Sequence, residues 1–395
     1  MPVSIEKTKL SDIVEKIKVL IVDDSSIMRK LISKIITDDP SFEVVDTAMN
    51  GLFALKKIKK FSPDIVLCDL EMPGMDGIEF LKMRNSLDIT TPVIVISSLG
   101  KSKPEIIFRT IELGACDFII KPSGSISMDI EVLAEEIRSK IRYYHKKNTI
   151  TPKQKEIIEA EELKHAEQLL KETDKRSVAI GQAIPRVIEN KLSLDEKIKS
   201  IRKLKVLAIG ISTGGPNALR TILPCFPQNF PLPILIVQHM PPGFTKEFAN
   251  GLNDICKMKV QEAADGLIAE PGNIYISPGD FHLMIDNEGS RIRLKLDSSP
   301  QFDGHRPSVG MLFKSVLTCF GNESINVIMT GTGKDGAFYI SELSKNGAIA
   351  LAQSEASCVV FGMPKVAIEM GGIDEIISLD NLPQRIMELV RLIGT

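Results

Sequence analysis

Short segments that contain a continuous apolar run alternate with amphipathic helical segments along this sequence. The first is residues 18–23 (KVLIVD), and residues 26–37 follow it as a predicted helix with apolar side chains one turn apart. A continuous apolar run is typical of a parallel strand whose sheet is covered on both faces. Further strands are predicted at 43–46, 64–69, 93–97 and 117–120. With a last helix at 128–144, the alternation predicts a doubly wound α/β domain.

The same alternation resumes at residues 204–209 and continues to the C-terminus, with predicted strands at 234–238 and 326–330. Residues 281–285 and 291–296 differ, because apolar and polar side chains alternate on either side of the segment NEGS. That pattern is typical of a β-hairpin. We therefore predict a second doubly wound, mostly parallel α/β domain, whose sheet is mixed because it includes the antiparallel hairpin.

Residues 146–203 separate these two regions and are rich in lysine and glutamate. Opposite charges three or four residues apart, such as Glu161 and Lys164, favour a solvated helix over residues 156–172. We interpret the segment as a long, partly helical linker, with a partner-binding segment as the alternative. The predicted organisation is a first domain at 1–145, the linker at 146–203 and a second domain at 204–395.

The composition limits the classes of partner. A chain of 395 residues is long enough for two cores, and a formal net charge of -2 gives no field that would recruit nucleic acid or anionic lipid. No apolar run is long enough to cross a bilayer, so we expect no membrane insertion. The six cysteines are scattered without a Cys-x-x-Cys pair, which favours reduced thiols and a cytoplasmic location.

Polar side chains follow the predicted strands of the first domain. Asp23 and Asp24 end the first strand, Asp69 ends the third, and Ser97 and Lys121 end the next two. Because the carboxyl ends of parallel strands meet at one edge of a sheet, these side chains should lie together. Three carboxylates there would repel one another without a cation, and Mg²⁺ prefers oxygen ligands. The set suits transfer of a phosphoryl group to an aspartate.

Residues 16–145 resemble the receiver domain of bacterial response regulators, which is flavodoxin-like with a five-stranded parallel sheet. The segments that carry the resemblance are 22–25 (VDDS), 68–77 (CDLEMPGMDG), Ser97 and 121–122 (KP). The resemblance implies that Asp69 accepts the phosphoryl group and that Asp23 and Asp24 complete its Mg²⁺ site. A histidine kinase would then be the donor. The switch residues that it implies are Ser97, Phe118 and Lys121.

A glycine-rich turn follows the first strand of the second domain. Residues 210–216 (GISTGGP) fit the Gly-x-Ser-x-Gly pattern, in which small neighbours let a serine, here Ser212, sit exposed before a helix. The N-terminus of that helix offers free N–H groups for an oxyanion. Taken alone, the turn fits phosphate binding equally well.

Two further strand ends favour catalysis over phosphate binding. His239 follows the strand at 234–238, and Asp335 follows the strand at 326–330. A hydroxyl, an imidazole and a carboxylate on one sheet edge would supply a nucleophile, a general base and the group that orients the base. The chain order serine, histidine, aspartate differs from the α/β-hydrolase order. His305 is a competing imidazole.

From about residue 205 onward the sequence is similar to the protein-glutamate methylesterases of bacterial chemotaxis, which carry a receiver domain ahead of the catalytic domain. The matching segments are 209–215 (IGISTGG), 238–245 (QHMPPGFT), 305–308 (HRPS), 330–337 (TGTGKDGA) and 355–364 (EASCVVFGMP). The resemblance implies a hydrolase with the triad Ser212, His239 and Asp335 and no cofactor. Its substrates would be methylated chemoreceptors and specific glutamines, and its receiver would cover the catalytic cleft until phosphorylated.

Other residues receive secondary roles. Backbone N–H groups at Thr213 and Thr332 are candidates for the oxyanion site, and His305 and Arg306 are candidates for shaping the site or contacting substrate. The sequence departs from the family pattern at Ile211, Thr332 and Lys334, where alanine, methionine and asparagine are usual. Two alternatives stay open at this point: a C-terminal domain that only binds, with an inert triad, and the same hydrolase in a signalling pathway other than chemotaxis.

Overall fold

The structure is a computed structural model that describes residues 16–98, 103–121, 128–149, 192–289 and 291–395. The chain divides into two units, Met1–Thr149 and Ile150–Thr395. Each unit has its own sheet and its own hydrophobic core. No helix in the described ranges is both long enough and apolar enough to cross a lipid bilayer.

The first unit is a single parallel sheet flanked by helices. Its strands are β1 (Ile17–Val22), β2 (Phe42–Ala48), β3 (Ile65–Asp69), β4 (Val93–Ser98) and β5 (Asp117–Lys121). Its helices are α1 (Ser26–Thr37), α2 (Gly51–Phe61), α3 (Gly77–Ser86), α4 (Pro104–Glu112) and α5 (Met128–Thr149). The strand order β2-β1-β3-β4-β5 is the flavodoxin-like one. The predicted five-stranded parallel fold is confirmed.

The core of the first unit follows from the apolar periodicity. Strand β3 is buried at every position, as a strand covered by helices on both faces should be. On α1, Ile32 and Ile36 lie one turn apart and face the core, and Ile137 and Ile141 do the same on α5. These two helices therefore pack against the sheet through their apolar stripes.

The second unit has a larger parallel sheet of seven strands, in the order β15-β14-β13-β6-β7-β10-β8. The strands of the unit are β6 (Val206–Ile211), β7 (Ile234–Gln238), β8 (Lys259–Glu262), β9 (Ile268–Ala269), β10 (Asn273–Ile276), β11 (His282–Glu288), β12 (Arg291–Asp297), β13 (Ser324–Ile328), β14 (Ile349–Gln353) and β15 (Glu375–Ile377). The described helices are α6 (Leu194–Ser200), α7 (Gly215–Ile222), α8 (Phe244–Asn253), α9 (Val309–Phe320), α10 (Ala337–Lys345), α11 (Met363–Glu369) and α12 (Leu382–Ile393). The predicted parallel, doubly wound architecture is confirmed.

The antiparallel strands form a separate three-stranded sheet, in the order β11-β12-β9. The predicted hairpin is confirmed, with His282 opposite Asp297 and Glu288 opposite Arg291. The prediction that the hairpin joins the main sheet is wrong. Its third strand, β9, has only two residues, which is too short to leave an alternation of apolar and polar residues in the sequence.

Part of the predicted linker is described. Residues 146–149 continue α5, and 150–191, including the predicted helix at 156–172, lie outside the described residues. Helix α6 begins with a capping box between Ser193 and Glu196. Lys197 on this helix is fully buried, with its Nζ 2.8 Å from Asp374 Oδ1 and from the Ser344 hydroxyl. Helix α6 therefore packs on the second unit, although its composition matches the charged segment before it.

Candidate active site and acidic pocket

The central strands β13, β6 and β7 of the seven-stranded sheet end at the same edge. The last register pair of β6 and β7 is Ile211 with Gln238, so Ser212 and His239 follow as neighbours. Hydrogen bonds continue past the strand ends, from the His239 N–H to the Ile211 carbonyl (3.1 Å) and from the Ser212 N–H to the Thr330 carbonyl (2.9 Å). The sheet thus places the predicted nucleophile and base side by side.

Small residues shape the turn that carries Ser212. Gly214 has a φ of 80°, in the left-handed region that favours glycine, and α7 begins at the next residue. A Cβ on Gly331, in the loop after β13, would lie 2.6 Å from the Cβ of Ser212. A side chain at Gly331 would displace the serine, and one at Gly214 would strain the backbone and meet Val359. The two glycines therefore let Ser212 sit on a tight strand-to-helix turn.

The His239 ring bonds the third predicted residue through one nitrogen. His239 Nε2 lies 2.8 Å from Asp335 Oδ2. Its Nδ1 is buried and has no hydrogen-bond partner among the described residues, so the Ser212 hydroxyl is not bonded to it here. Nδ1 is therefore the nitrogen left to take the serine proton. Catalytic hydrogen bonds are often long without substrate and tighten when it binds.

The buried Asp335 carboxylate accepts four hydrogen bonds. Besides His239, its donors are the Ser308 hydroxyl (2.8 Å) and the backbone N–H groups of Val309 (2.7 Å) and Gly310 (2.9 Å) at the start of α9. Burial alone would raise the pKa of Asp335, but the hydrogen bond and charge of His239, with those from the helix N-terminus, hold it below its usual value. The carboxylate is thus ionised and able to stabilise a positive charge on His239.

Two polar residues of this site, Gln238 and Ser308, lie within the matching segments but had no predicted role. Gln238 Nε2 donates to the carbonyls of Ser212 and His239 at 3.0 Å each, which ties the two strand ends together. Its sequence signal is a polar residue that ends an apolar strand. Ser308 is recognisable as an N-cap residue before a helix, but its contact with Asp335 depends on the tertiary fold.

The predicted oxyanion residues face each other across the turn. The hydroxyls of Thr213 and Thr332 are 3.4 Å apart. Neither backbone N–H donates a backbone hydrogen bond within the described residues. The side chain of Thr330, buried beneath them, donates to the Thr213 carbonyl at 2.8 Å and fixes the turn. The two N–H groups are thus free to bind a developing negative charge.

His305, predicted to shape the site, stacks on the ring of His239. The ring centroids are 3.9 Å apart and the planes differ by 9°. His305 Nδ1 lies 2.8 Å from the Asp303 carbonyl, which accepts its hydrogen. Burial lowers the pKa of His305, and a positive charge on His239 lowers it further, so the neutral ring is favoured. His282, by contrast, bonds the Pro300 carbonyl and the Ser308 N–H, as a structural residue.

His239, His305 and Asp335 each bring a possible ligand atom within 4.8 Å of the others. The geometry does not suit a metal ion. Lone pairs of imidazole nitrogens lie in the ring plane, so two stacked parallel rings direct them side by side and not at a common point. Both carboxylate oxygens of Asp335 also already accept two hydrogen bonds each.

Arg306 does not reach the triad in this structure. Its Nε and Nη2 donate to Asp280 Oδ1 at 3.0 and 2.6 Å. Its Nη1 donates to the carbonyls of Ser298 and Ser299 at 3.0 and 3.1 Å. The guanidinium therefore binds the loop before α9 to the loop before β11.

The acidic pocket of the first unit gathers the predicted carboxylates. Asp23, Asp24 and Asp69 can each place an oxygen within 4.8 Å of the others. Lys121 Nζ lies 2.9 Å from Asp23 Oδ2 and 3.3 Å from Asp69 Oδ1. Burial raises the pKa of Asp69, Lys121 opposes the rise and Asp23 adds to it. The three carboxylates supply oxygen ligands of the kind that Mg²⁺ prefers, and the Lys121 ammonium lies beside them.

The predicted switch residues surround this pocket. The Ser97 hydroxyl is buried and has no hydrogen-bond partner in the described chain, so it is available to a group bound at Asp69. Phe118 is buried on β5, with its ring 5.6 Å from that of Phe108 in an edge-to-face contact. Lys140 on α5 donates to the Phe118 carbonyl and lies 3.2 Å from Asp117.

Comparison with known proteins decides the family. Residues 207–386 match the family model of the CheB methylesterase, and residues 19–132 match that of the response regulator receiver domain. A protein-glutamate methylesterase/protein-glutamine glutaminase of Treponema denticola is 42% identical over 93% of this chain and 96% of its own length. The enzyme of the same name from Halalkalibacterium halodurans is 42% identical over 94% and 98%. This chain belongs to that family.

Among solved structures, the CheB methylesterase catalytic domain of Thermotoga maritima is 41% identical and covers 48% of this chain and 100% of that domain, with a TM-score of 0.47. With a receiver domain ahead of a methylesterase domain, the chain is a response regulator whose effector is a chemotaxis protein-glutamate methylesterase/protein-glutamine glutaminase. The two departures nearest Asp335 in the methylesterase domain, Thr332 and Lys334, are both exposed, whereas Ile211 is buried beneath Ser212.

Proposed function

We propose that Ser212, His239 and Asp335 are the catalytic triad that hydrolyses the methyl esters of glutamate side chains on chemoreceptors. One observation carries the assignment. His239 bonds Asp335 through Nε2, and its Nδ1 stays buried without a partner among the described residues, beside the strand that ends at Ser212. One ring nitrogen is therefore oriented by a carboxylate, and the other is left for the nucleophile.

The reaction proceeds in two stages, acylation and deacylation, and in each stage His239 takes a proton and returns it. As Nδ1 takes the proton of Ser212, the hydroxyl oxygen attacks the γ-carbonyl carbon of the methyl ester. The negative charge that develops on the carbonyl oxygen is stabilised by the backbone N–H groups of Thr213 and Thr332. Nδ1 returns the proton to the methoxy group, and methanol leaves an acyl-enzyme on Ser212. Water, deprotonated by His239, then releases glutamate and restores the serine.

The surroundings of Asp335 explain how a positive charge on His239 is stabilised. Four hydrogen bonds keep this carboxylate ionised, so it stabilises the imidazolium that forms at His239. The same steps on a glutamine side chain expel ammonia in place of methanol. The glutaminase activity in the names of the relatives therefore needs no additional residue here.

We infer that Asp69 is the phosphoacceptor that controls this domain, with a chemotaxis histidine kinase as donor. Asp23, Asp24 and Asp69 would hold Mg²⁺, which when bound neutralises charge on the phosphoryl oxygens. Lys121 neutralises further charge, and the free hydroxyl of Ser97 bonds the product. A phosphoryl group that favours an open arrangement of the two domains by about 3 kcal/mol or more would switch most molecules to the active state.

The partners and the location follow from this function. Methylated chemoreceptors are the substrates and the kinase is the phosphate donor, so we place the enzyme in the cytoplasm. The free thiols of all six cysteines agree with a reducing compartment. Neither nucleic acid nor membrane insertion has a role in the proposal.

Methanol release from a methylated receptor fragment tests the triad. Ser212→Ala, His239→Ala and Asp335→Ala should each lower the rate strongly, with Ser212→Ala about a thousandfold or more below wild type. Because the residues act as one unit, combining the changes should cost little more than the largest single change. Wild-type rates in Ser212→Ala would contradict the assignment.

A further inference from the structure

The imidazole ring of His239 makes only one hydrogen bond within the described part of the chain. Asp335 fixes Nε2 of His239, while Nδ1 has no partner among the described residues. A single hydrogen bond fixes the position of Nε2 but leaves the ring free to rotate about that hydrogen bond. Something else must hold the plane of the ring so that Nδ1 faces Ser212, because small errors in alignment are costly in catalysis.

The stacked ring of His305 restricts that rotation. At 3.9 Å and 9° from parallel, it covers one face of His239. His305 is itself held by its loop, through the bond from Nδ1 to the Asp303 carbonyl and two backbone hydrogen bonds of 3.0 Å between His305 and Phe302. The orientation of His239 therefore depends on where this loop is anchored.

Asp280 anchors the loop of His305 through its contacts with Arg306. Its carboxylate accepts two hydrogen bonds from Arg306, the residue after His305, and its backbone N–H donates to the Arg306 carbonyl at 3.3 Å. Asp280 has a φ of 70°, a left-handed conformation that costs energy for residues other than glycine, although aspartate and asparagine tolerate it best. Two-sided contact with Arg306 explains how this conformation is maintained.

The loop of Asp280 also touches the loop of His239. A Cβ on Gly279 would lie 2.5 Å from Pro242 N and 2.6 Å from the carbonyl carbon of Pro241, so the two backbones are in close contact. Contacts therefore run in a closed circuit: from His239 through Pro241 and Pro242 to Gly279 and Asp280, then through Arg306 to His305 and back to His239. The contact between Asp280 and Arg306 thus connects the loop after His239 to the ring of His305 that stacks on it.

We propose that Asp280 is a positioning residue for catalysis, and that its ion pair with Arg306 holds His305 against His239 so that Nδ1 faces Ser212. This inference rests on the triad proposed above. Asp280 touches none of the reacting atoms; it acts through Arg306 and His305. The ion pair is partly exposed and contributes little to stability by itself, so its main effect is expected on turnover.

The test measures kcat and KM for methanol release from a methylated receptor fragment by the full chain. Asp280→Ala and Arg306→Ala should each lower kcat about 10- to 100-fold with KM unchanged, because the base is misaligned but substrate contacts remain. The double variant should be no slower than the slower single one, since both changes open the same contact. Asp280→Asn keeps an oxygen acceptor and tolerates the left-handed backbone, so it should recover most of the rate.

Two further comparisons of variants distinguish a positioning role from general damage to the fold. His305→Ala should lose rate like Asp280→Ala, whereas His305→Phe keeps a flat ring and should recover much of it. Arg385 is as exposed as Arg306, at 26%, and pairs with Glu375 on the edge strand β15 and with Glu388. Arg385→Ala breaks these ion pairs and should leave kcat at the wild-type level. Thermal unfolding should move equally little in Arg306→Ala and Arg385→Ala, whereas Asp280→Ala also places alanine at a left-handed φ and should unfold at a lower temperature.

Three results would overturn the inference: wild-type kcat in Asp280→Ala, a loss confined to KM, or a loss of kcat that Arg385→Ala shares. Ser212→Ala in the same series keeps the two proposals apart. Full methanol release by Ser212→Ala would contradict the triad. If Ser212→Ala loses methanol release but Asp280→Ala keeps the wild-type kcat, the triad stands and only the positioning role of Asp280 is contradicted.

Discussion

Four donors converge on the carboxylate of Asp335, and two of them are backbone N–H groups at the start of α9. At this scale the site is an electrostatic arrangement in which His239 and the N-terminus of α9 together keep the acid ionised. Ser308 has two tasks there, because its hydroxyl donates to Asp335 and accepts from the N–H of Met311 as the N-cap.

Ser308→Ala should therefore reduce both stability and turnover. Loss of the cap costs about 1 kcal/mol of unfolding free energy, and loss of one donor to Asp335 should lower kcat roughly tenfold. Ser193→Ala is the matched control, because it removes the N-cap of α6 and should lower stability without lowering kcat. An unchanged kcat in Ser308→Ala would show that the remaining donors suffice.

The lowered pKa of Asp335 predicts a specific acid sensitivity. A group whose pKa is lower in the folded state contributes stability that is fully present above its unfolded value, here 3.8, and is lost as the pH falls through the folded value. Hydrogen exchange of the β6 and β7 amides in the full chain should show this loss in wild type. In Asp335→Asn the pH-dependent part should be smaller, and equal acid sensitivity in both proteins would contradict the assignment.

Among site residues, the sequence was sufficient where a side chain ends a strand. Ser212, His239 and the acids of the receiver lie at or directly after strand ends, so parallel topology alone predicts their proximity. Asp335 lies in the loop that follows β13, at the same edge of the sheet. The sequence was insufficient for Asp280 and for the role of Ser308. Their partners are 26 and 27 residues away, in loops whose approach depends on tertiary packing.

At the scale of elements, α6 is the clearest case in which composition misleads. Its sequence, LDEKIKS, has the charge density of the segment before it, yet Lys197 is fully buried against Asp374. A single buried lysine in a polar helix leaves almost no trace in hydrophobic periodicity. The hairpin, by contrast, was predictable because period-two alternation over two adjacent segments, joined by a short polar turn, is specific to paired antiparallel strands.

Lys197→Met should strongly destabilise the second unit. Removing the ammonium leaves Asp374 buried without its cation, a change that costs about 3–5 kcal/mol. Lys199→Met, on the exposed side of the same helix, should change stability by less than about 0.5 kcal/mol. Urea unfolding of both variants measures the difference, and equal midpoints would show that α6 contributes nothing to the core.

At the scale of the whole molecule, two parallel sheets each place their chemistry at the carboxyl ends of the strands. The receiver edge carries the proposed phosphoacceptor set and the methylesterase edge carries the proposed triad. The domain order was predictable from the motifs, whereas the boundaries near residues 145 and 204 remain predictions.

Because the receiver is proposed to control the methylesterase, we expect methanol release to respond to a small-molecule phosphodonor. Methanol release by wild type should rise roughly tenfold or more with the phosphodonor and Mg²⁺, in line with a shift of a few kcal/mol between states. Asp69→Asn should keep the basal rate and lose the stimulation. Full stimulation in Asp69→Asn would place the phosphoacceptor elsewhere.

The covalent intermediate is the most direct test of the triad. A reaction with methylated receptor peptide, quenched within one turnover, should yield a peptide ester that tandem mass spectrometry locates on Ser212. The ester should be absent when alanine replaces His239. An adduct on any other side chain, or undiminished methanol release from an enzyme without the serine, would contradict the account.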